Sequence, residues 1–292
     1  MMCHMRRREF LPTLGATLAS AALAQETPKA KGRLKQGVTR GVFTRGMPLE
    51  ESCKIAADNG IVAYDLIGPQ DWPTLKKFGL TPSMYPPGPG GTIADGLNRL
   101  DNHDRLEKLM HEALDLSKTN GCPNIICFPG NRTGVRDKKA MSDAEGADNC
   151  VTFLNKVKKH AEDVGVTISM EYLNSKVNHK DYMFDHIAWG VDVMKRVNSP
   201  RVKILYDIYH AQIMDGDIVR NIRDHFQWIS HYHTGGNPGR KEIDDTQELN
   251  YRFVAKAIAD LNFTGFFCHE YSPTQGNDAV KSLKSAIEIC TV

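Results

Sequence analysis

The chain has no Cys-x-x-Cys pair, no long apolar run, no low-complexity tract and almost no net charge. Each absence excludes something. Of its seven cysteines, Cys3 lies close to the N-terminus. Cys53, Cys122, Cys127, Cys150, Cys268 and Cys290 are scattered, without the spacing of a structural zinc site or a thiol redox motif. Scattered cysteines in a domain this large are expected as small buried hydrophobes, with a disulfide framework not indicated. The most apolar stretch near the N-terminus, residues 14–24, falls short of the roughly 20 residues a spanning helix needs, so no stable membrane anchor is expected. Residues 1–24 carry three arginines and one glutamate. The 37 basic and 35 acidic residues of the whole chain therefore become 34 of each beyond them. A balance of that kind gives no support to a nucleic-acid-binding surface.

What is present begins with that N-terminal segment. Arg6, Arg7 and Arg8 precede Phe10 and Leu11, a short apolar region follows, and Ala22-Leu23-Ala24 supplies a small-residue cleavage pattern. Basic, apolar and small-residue parts in that order describe a signal peptide. The Arg7–Leu11 core resembles a bacterial twin-arginine signal, which implies export to the periplasm. Residues 25–35 form a polar, Lys-rich linker, leaving 36–292 as one domain.

In that domain strand-like and helix-like segments alternate. Strands are expected at 36–43, 61–67, 80–85, 124–128, 166–173, 202–207, 228–233 and 266–270. Helices are expected at 47–59, 74–78 (capped by Asp71), 103–119, 142–164, 182–197, 217–226, 249–261 and 278–289. Residues 86–91, Pro-Pro-Gly-Pro-Gly-Gly, are expected as a loop that cannot continue a strand. Eight strands alternating with helices predict an α/β fold with a parallel sheet, closed as a (β/α)8 TIM barrel.

Four consecutive strands finish in a metal-competent side chain: Glu171, Asp207, His233 and Glu270. Each interval is about one βα unit, so the four should meet at the carboxyl end of the barrel, where barrel enzymes place their chemistry. His231 shares the parity of His233 but lies two residues deeper, about 7 Å down the strand, so it belongs to a buried layer beneath. Three carboxylates and one imidazole form a predominantly hard donor set. It favours one divalent ion, Mn²⁺ or Mg²⁺, with Co²⁺ and Zn²⁺ as further candidates.

The set Glu171, Asp207-x-x-His210, His233 and Glu270 resembles the metal site of xylose-isomerase-like barrel enzymes. Residues 91–99, 122–132, 205–217, 238–244, 248–251 and 269–273 are more similar to the hydroxypyruvate isomerases within that group. The resemblance covers about residues 36–290 and implies isomerisation by proton transfer beside a carbonyl, hydroxypyruvate giving tartronate semialdehyde. It implies Glu171 and Glu270 as the catalytic pair, the four ligands as one metal site, and His210 as a substrate-binding group. Arg240 is the candidate for a substrate carboxylate or distal hydroxyl, with Glu242 as a candidate ion-pair partner. The substrate is then a small keto acid or ketose, and a homo-oligomer is allowed. Competing expectations are a ketose 3-epimerase on the same site, an endonuclease-IV-like barrel, and an exported sugar-binding barrel without catalysis. The second needs extra histidines, but strands three and four end at Tyr85 and Phe128.

Overall fold

The computed structural model describes residues 29–292. The expected signal at 1–24 lies outside the described residues. Eight parallel strands close into a barrel in sequence order. They are β1 Lys35–Val38, β2 Ala63–Asp65, β3 Thr81–Gly90, β4 Asn124–Cys127, β5 Thr167–Glu171, β6 Val202–Asp207, β7 Ile229–Thr234 and β8 Phe266–His269. Around them run α1 Leu49–Asp58, α2 Trp72–Lys77, α3 His103–Asn120, α4 Asp143–Val164, α5 Ile187–Val197, α6 Ile208–Met214, α7 Ile218–His225, α8 Tyr251–Asp260 and α9 Ala279–Cys290. Among the described residues no helix is long and apolar enough to cross a membrane.

The helix limits follow local chemistry. The Ser142 side chain accepts from Glu145 N at 3.2 Å and opens α4, while Gly165 closes it at φ 75°, a left-handed conformation open to glycine. Leu106, Met110 and Leu114 of α3, and Cys150, Phe153, Leu154 and Val157 of α4, repeat at helical spacing and are buried in the shared core. All six cysteines of the described residues are buried and unpaired, as the lack of spacing pattern implied.

Three local expectations fail. Residues 86–90 do not leave the sheet: β3 continues to Gly90, which pairs with Cys127, and the ladder skips between Tyr85 and Gly90. Prolines hold an extended φ, and inside this bulge their missing N–H groups break no ladder bond. Gly90 is required where the strand rejoins, because a Cβ there would lie 2.3 Å from Ile126 O. Residues 182–186 are not helical, since Phe184 O accepts from Leu173 N and the Tyr182 hydroxyl donates to Glu171 O, which ties this segment to the end of β5. The side chain of Asp71 makes no capping bond, because a 3-10 turn already leads into α2.

Registers position the site. Asp207 pairs directly with His233, whereas Glu171 pairs with Leu205 and His233 with Cys268. Glu171 and Glu270 are thus each offset by two residues from the neighbouring ligand strand. Tilted barrel strands are staggered in this way, so side chains at unequal register reach one mouth.

Candidate metal centre

Glu171 ends β5 and Asp207 ends β6. His233 lies one residue before the end of β7, and Glu270 directly follows β8. One ligand-capable atom from each lies within 4.8 Å of the others. From His233 Nδ1 the distances are 2.5 Å to Glu270 Oε2, 3.3 Å to Glu171 Oε1 and 3.9 Å to Asp207 Oδ2. The other ring nitrogen, Nε2, is 2.8 Å from Asp65 Oδ2. An ionised Asp65 accepts that proton, which leaves the lone pair of a neutral ring on Nδ1. Nδ1 is buried and makes no hydrogen bond of acceptable geometry, despite its nearness to carboxylates. A ring nitrogen and three carboxylates turned toward one another repel unless a cation lies among them, either a proton on Nδ1 or a metal ion in its place. The donor set therefore fits a hard divalent ion held by Glu171, Asp207, His233 and Glu270.

Electrostatics agree with that fit. The carboxylates of Asp207 and Glu270 share one guanidinium, that of Arg240, while Asp65 and Glu171 turn to His233. Burial, with the charges of Glu270 and Asp207 beside it, pushes Glu171 up to about 7. Burial also raises Asp207. Glu270 goes the other way, to about 2, because Arg240 and His233 outweigh its desolvation. Burial would lower His233, but the adjacent carboxylates hold it protonated well above the usual imidazole value. A bound divalent cation competes with that proton directly.

Asp65 was not evident in the sequence. It ends β2 and is fully buried, with its Oδ1 taking Ser83 Oγ at 2.5 Å and its Oδ2 taking both His231 Nε2 and His233 Nε2 at 2.8 Å. Burial alone would raise its carboxyl, and the two histidines hold it far below the usual range. His231 lies in this layer beneath the ligands, where parity had put it. Its Nε2 lies 2.8 Å from Asp65 Oδ2, a hydrogen-bond distance. The sequence signal for Asp65 was an acid closing a strand, the same signal that marked Glu171 and Asp207.

His210 sits on α6, a helix absent from the sequence expectation. Asp207 caps it through Oδ1 to His210 N at 3.1 Å. One aspartate thus ends a strand and starts a helix, and Asp-x-x-His turns the histidine back over the site. Burial, reinforced by Arg240, lowers His210 well below its usual value, so the ring is neutral. Arg240 comes from the loop after β7 and lies over the mouth. Its Nη2 reaches Asp207 Oδ2 at 2.6 Å and Glu270 Oε2 at 2.7 Å, and its Nη1 lies 2.7 Å from His210 Nε2. Glu242 does not pair with it. Its carboxylate takes Thr274 N, Thr274 Oγ1 and Asn277 Nδ2 instead, because the chain turns outward after Arg240. An open cavity of about 400 Å³ reaches Asp65, Arg240 and Glu270 and is bordered by Thr39, Leu66 and Tyr271. A larger groove of about 610 Å³ lies at α8 and α9, lined by Asp244, Glu248 and Glu288, away from these ligands.

Residues 74–290 match the family model described as the xylose isomerase-like TIM barrel. The chain belongs to the xylose isomerase-like TIM barrel family. It is 26% identical to a 2-oxo-tetronate isomerase of Pectobacterium atrosepticum over 78% of this chain and 87% of that one. It is 32% identical to a putative hydroxypyruvate isomerase of Danio rerio over 66% of this chain and 70% of the other. On this kinship the chain is an isomerase. A crystal structure of an AP endonuclease, family 2, from Brucella melitensis superposes with a TM-score of 0.75 at 23% identity, covering 86% of this chain and 96% of that chain. That likeness establishes the fold.

Proposed function

We propose that this isomerase is metal-dependent and interconverts hydroxypyruvate and tartronate semialdehyde. The observation that carries the reading is His233 Nδ1, buried and unpartnered among three carboxylates. The kinship to isomerases of two short hydroxy keto acids supports the substrate class, and a cavity of about 400 Å³ gives a substrate access to Arg240 and Glu270.

A divalent cation held by Glu171, Asp207, His233 and Glu270 would supply Lewis-acid polarisation of the substrate carbonyl. The chain's own groups do the rest. Glu171 and Glu270 approach from β5 and β8, three strands apart, so one carboxylate removes a proton from C3 of hydroxypyruvate and a proton is returned at C2. The C3 hydroxyl proton ends on the C2 oxygen, so atoms balance without any oxidant. His210 and Arg240 donate hydrogen bonds to the oxygen that gains negative charge.

The test is turnover by metal-stripped protein supplied with Mn²⁺, Mg²⁺ or Co²⁺, comparing hydroxypyruvate with 2-oxo-tetronate, ketopentoses and ketohexoses. Glu270→Gln should lose on the order of 100-fold or more in kcat, as general acid–base groups do. Unchanged turnover in that variant refutes the paired-glutamate mechanism. Turnover of ketoses alone refutes the keto-acid assignment. The twin-arginine-like segment further supports delivery to the periplasm as a folded protein. Cell fractionation of the full chain with Arg6, Arg7 and Arg8 intact or changed to Lys tests this, and equal cytoplasmic retention of both refutes it.

A further inference from the structure

We propose that Asn174 is a positioning residue that fixes the His210 ring as the Nε2–H tautomer, so that His210 meets its substrate as a hydrogen-bond donor. The tautomer follows from the balance of donors around the ring, two at Nδ1, one of them a backbone amide, against the single Arg240 Nη1 at Nε2. Its catalytic use rests on the isomerisation proposed above.

Asn174 follows β5, three residues beyond Glu171. Its amide orientation is determined, because Oδ1 accepts Val177 N at 2.9 Å and Asn178 N at 3.0 Å. Nδ2 is therefore the atom that donates to Asn178 Oδ1 at 2.8 Å and faces His210 Nδ1 at 2.5 Å. The backbone N–H of Asn174 donates to the same Nδ1 at 3.2 Å. A backbone amide cannot exchange donor for acceptor. With two donors against it, Nδ1 carries the lone pair, and the proton of the neutral ring is on Nε2. From the other side the Tyr209 hydroxyl holds Asn178 Oδ1 at 2.9 Å, so the turn is tied on both flanks.

The one contact that opposes this assignment is Arg240 Nη1, a donor 2.7 Å from Nε2, and it belongs to a side chain that can turn where the backbone amide at Nδ1 cannot. The opposite tautomer would place a proton against two donors, one of them immovable. Two N–H groups converging from His210 and Arg240 share one complementary partner, an oxygen bearing negative charge. A ring with its proton on Nδ1 would turn a lone pair toward that oxygen and repel it. Asn174 thereby decides the sign of the His210 contact without touching the substrate.

Long-range proton–nitrogen correlation spectra of the full chain with ¹⁵N-labelled histidine read the ring directly, with His210→Gln identifying its signals. The wild-type ring is expected to show a protonated Nε2 and a bare Nδ1. Asn174→Asp keeps an oxygen for the turn but sets an acceptor against Nδ1, so the proton should move to Nδ1. In that variant kcat should fall on the order of 100-fold, the scale of losing one oxyanion donor, with KM changed only a few-fold. A wild-type ring protonated at Nδ1 overturns the proposal. So does an Asn174→Asp variant that keeps the wild-type ring pattern or the wild-type kcat. The spectra are taken without substrate, so the tautomer is judged separately from which acid or sugar turns over.

Discussion

Replacing Asp65 by Asn keeps shape and volume and changes only what the carboxylate does for His233. Three donors converge on Asp65: Ser83 Oγ, His231 Nε2 and His233 Nε2. An amide offers one oxygen and one NH₂ group, so at least one of the three is left facing a donor. The relief open to His233 is to move its proton to Nδ1, which lies 2.5 Å from Glu270 Oε2 and 3.3 Å from Glu171 Oε1. That protonates the nitrogen aimed at the metal site. Losing an outer partner of a ligating histidine costs about 10- to 100-fold in metal affinity, or about 1.4 to 2.7 kcal/mol. Calorimetric titration of metal-stripped protein with Mn²⁺ measures it. Ser83→Ala is the control, since it removes only the Oδ1 donor and leaves His233 its acceptor. Its Kd should stay within about threefold, inside the scatter of a second-layer change. If Asp65→Asn binds Mn²⁺ as tightly as wild type while remaining folded, Asp65 does not orient His233 and the ligand assignment of Nδ1 falls with it.

Other perturbations test other links. Adding excess Mn²⁺ to stripped protein should raise Tm, because binding to the folded state alone contributes RT ln(1 + [L]/Kd), about 2.7 kcal/mol at 100 times Kd. A melting curve indifferent to Mn²⁺, Mg²⁺ and Co²⁺ would remove the metal centre. Gly90→Ala should destabilise by about 1–3 kcal/mol in urea titration, since its Cβ would meet Ile126 O at 2.3 Å where β3 rejoins the ladder. Leu154→Ala, fully buried between α4 and the barrel, should cost about 2–5 kcal/mol by the same assay. Asp215 tests acid stability. Burial would raise its carboxyl, but Ile187 N–H, the Tyr172 hydroxyl and His186 hold it below the ordinary carboxylate value. Its contribution is therefore present above the unfolded pKa of about 4 and is lost as pH falls through the lower folded value. Asp215→Asn should flatten the decline of urea midpoints below about pH 4, and an unchanged acid limb would refute that role.

The barrel and the meeting of four strand-end side chains at its mouth were legible because both are written in short-range pattern. Each strand is a brief apolar run, each helix a 3.6-residue repeat, and an acid or histidine at the end of such a run is visible without knowing its neighbours. The same reasoning stopped short at Asp65. Nothing local distinguishes it from an acid that merely caps a strand, and its role depends on β7 lying across the barrel from β2. Sequence parity gave His231 its depth but could not supply that partner. Helix α6 was missed for the opposite reason. Asp207 reads as a strand end, and a residue that ends one element leaves no separate signal that it begins another. Its two oxygens divide the work, Oδ1 capping the backbone of His210 and Oδ2 facing His233 and Arg240. The positions hardest to read from sequence are thus those whose polar atoms answer to two elements at once. Asn174 is the extreme case, with its oxygen committed to its own turn and its nitrogen to a histidine 36 residues away.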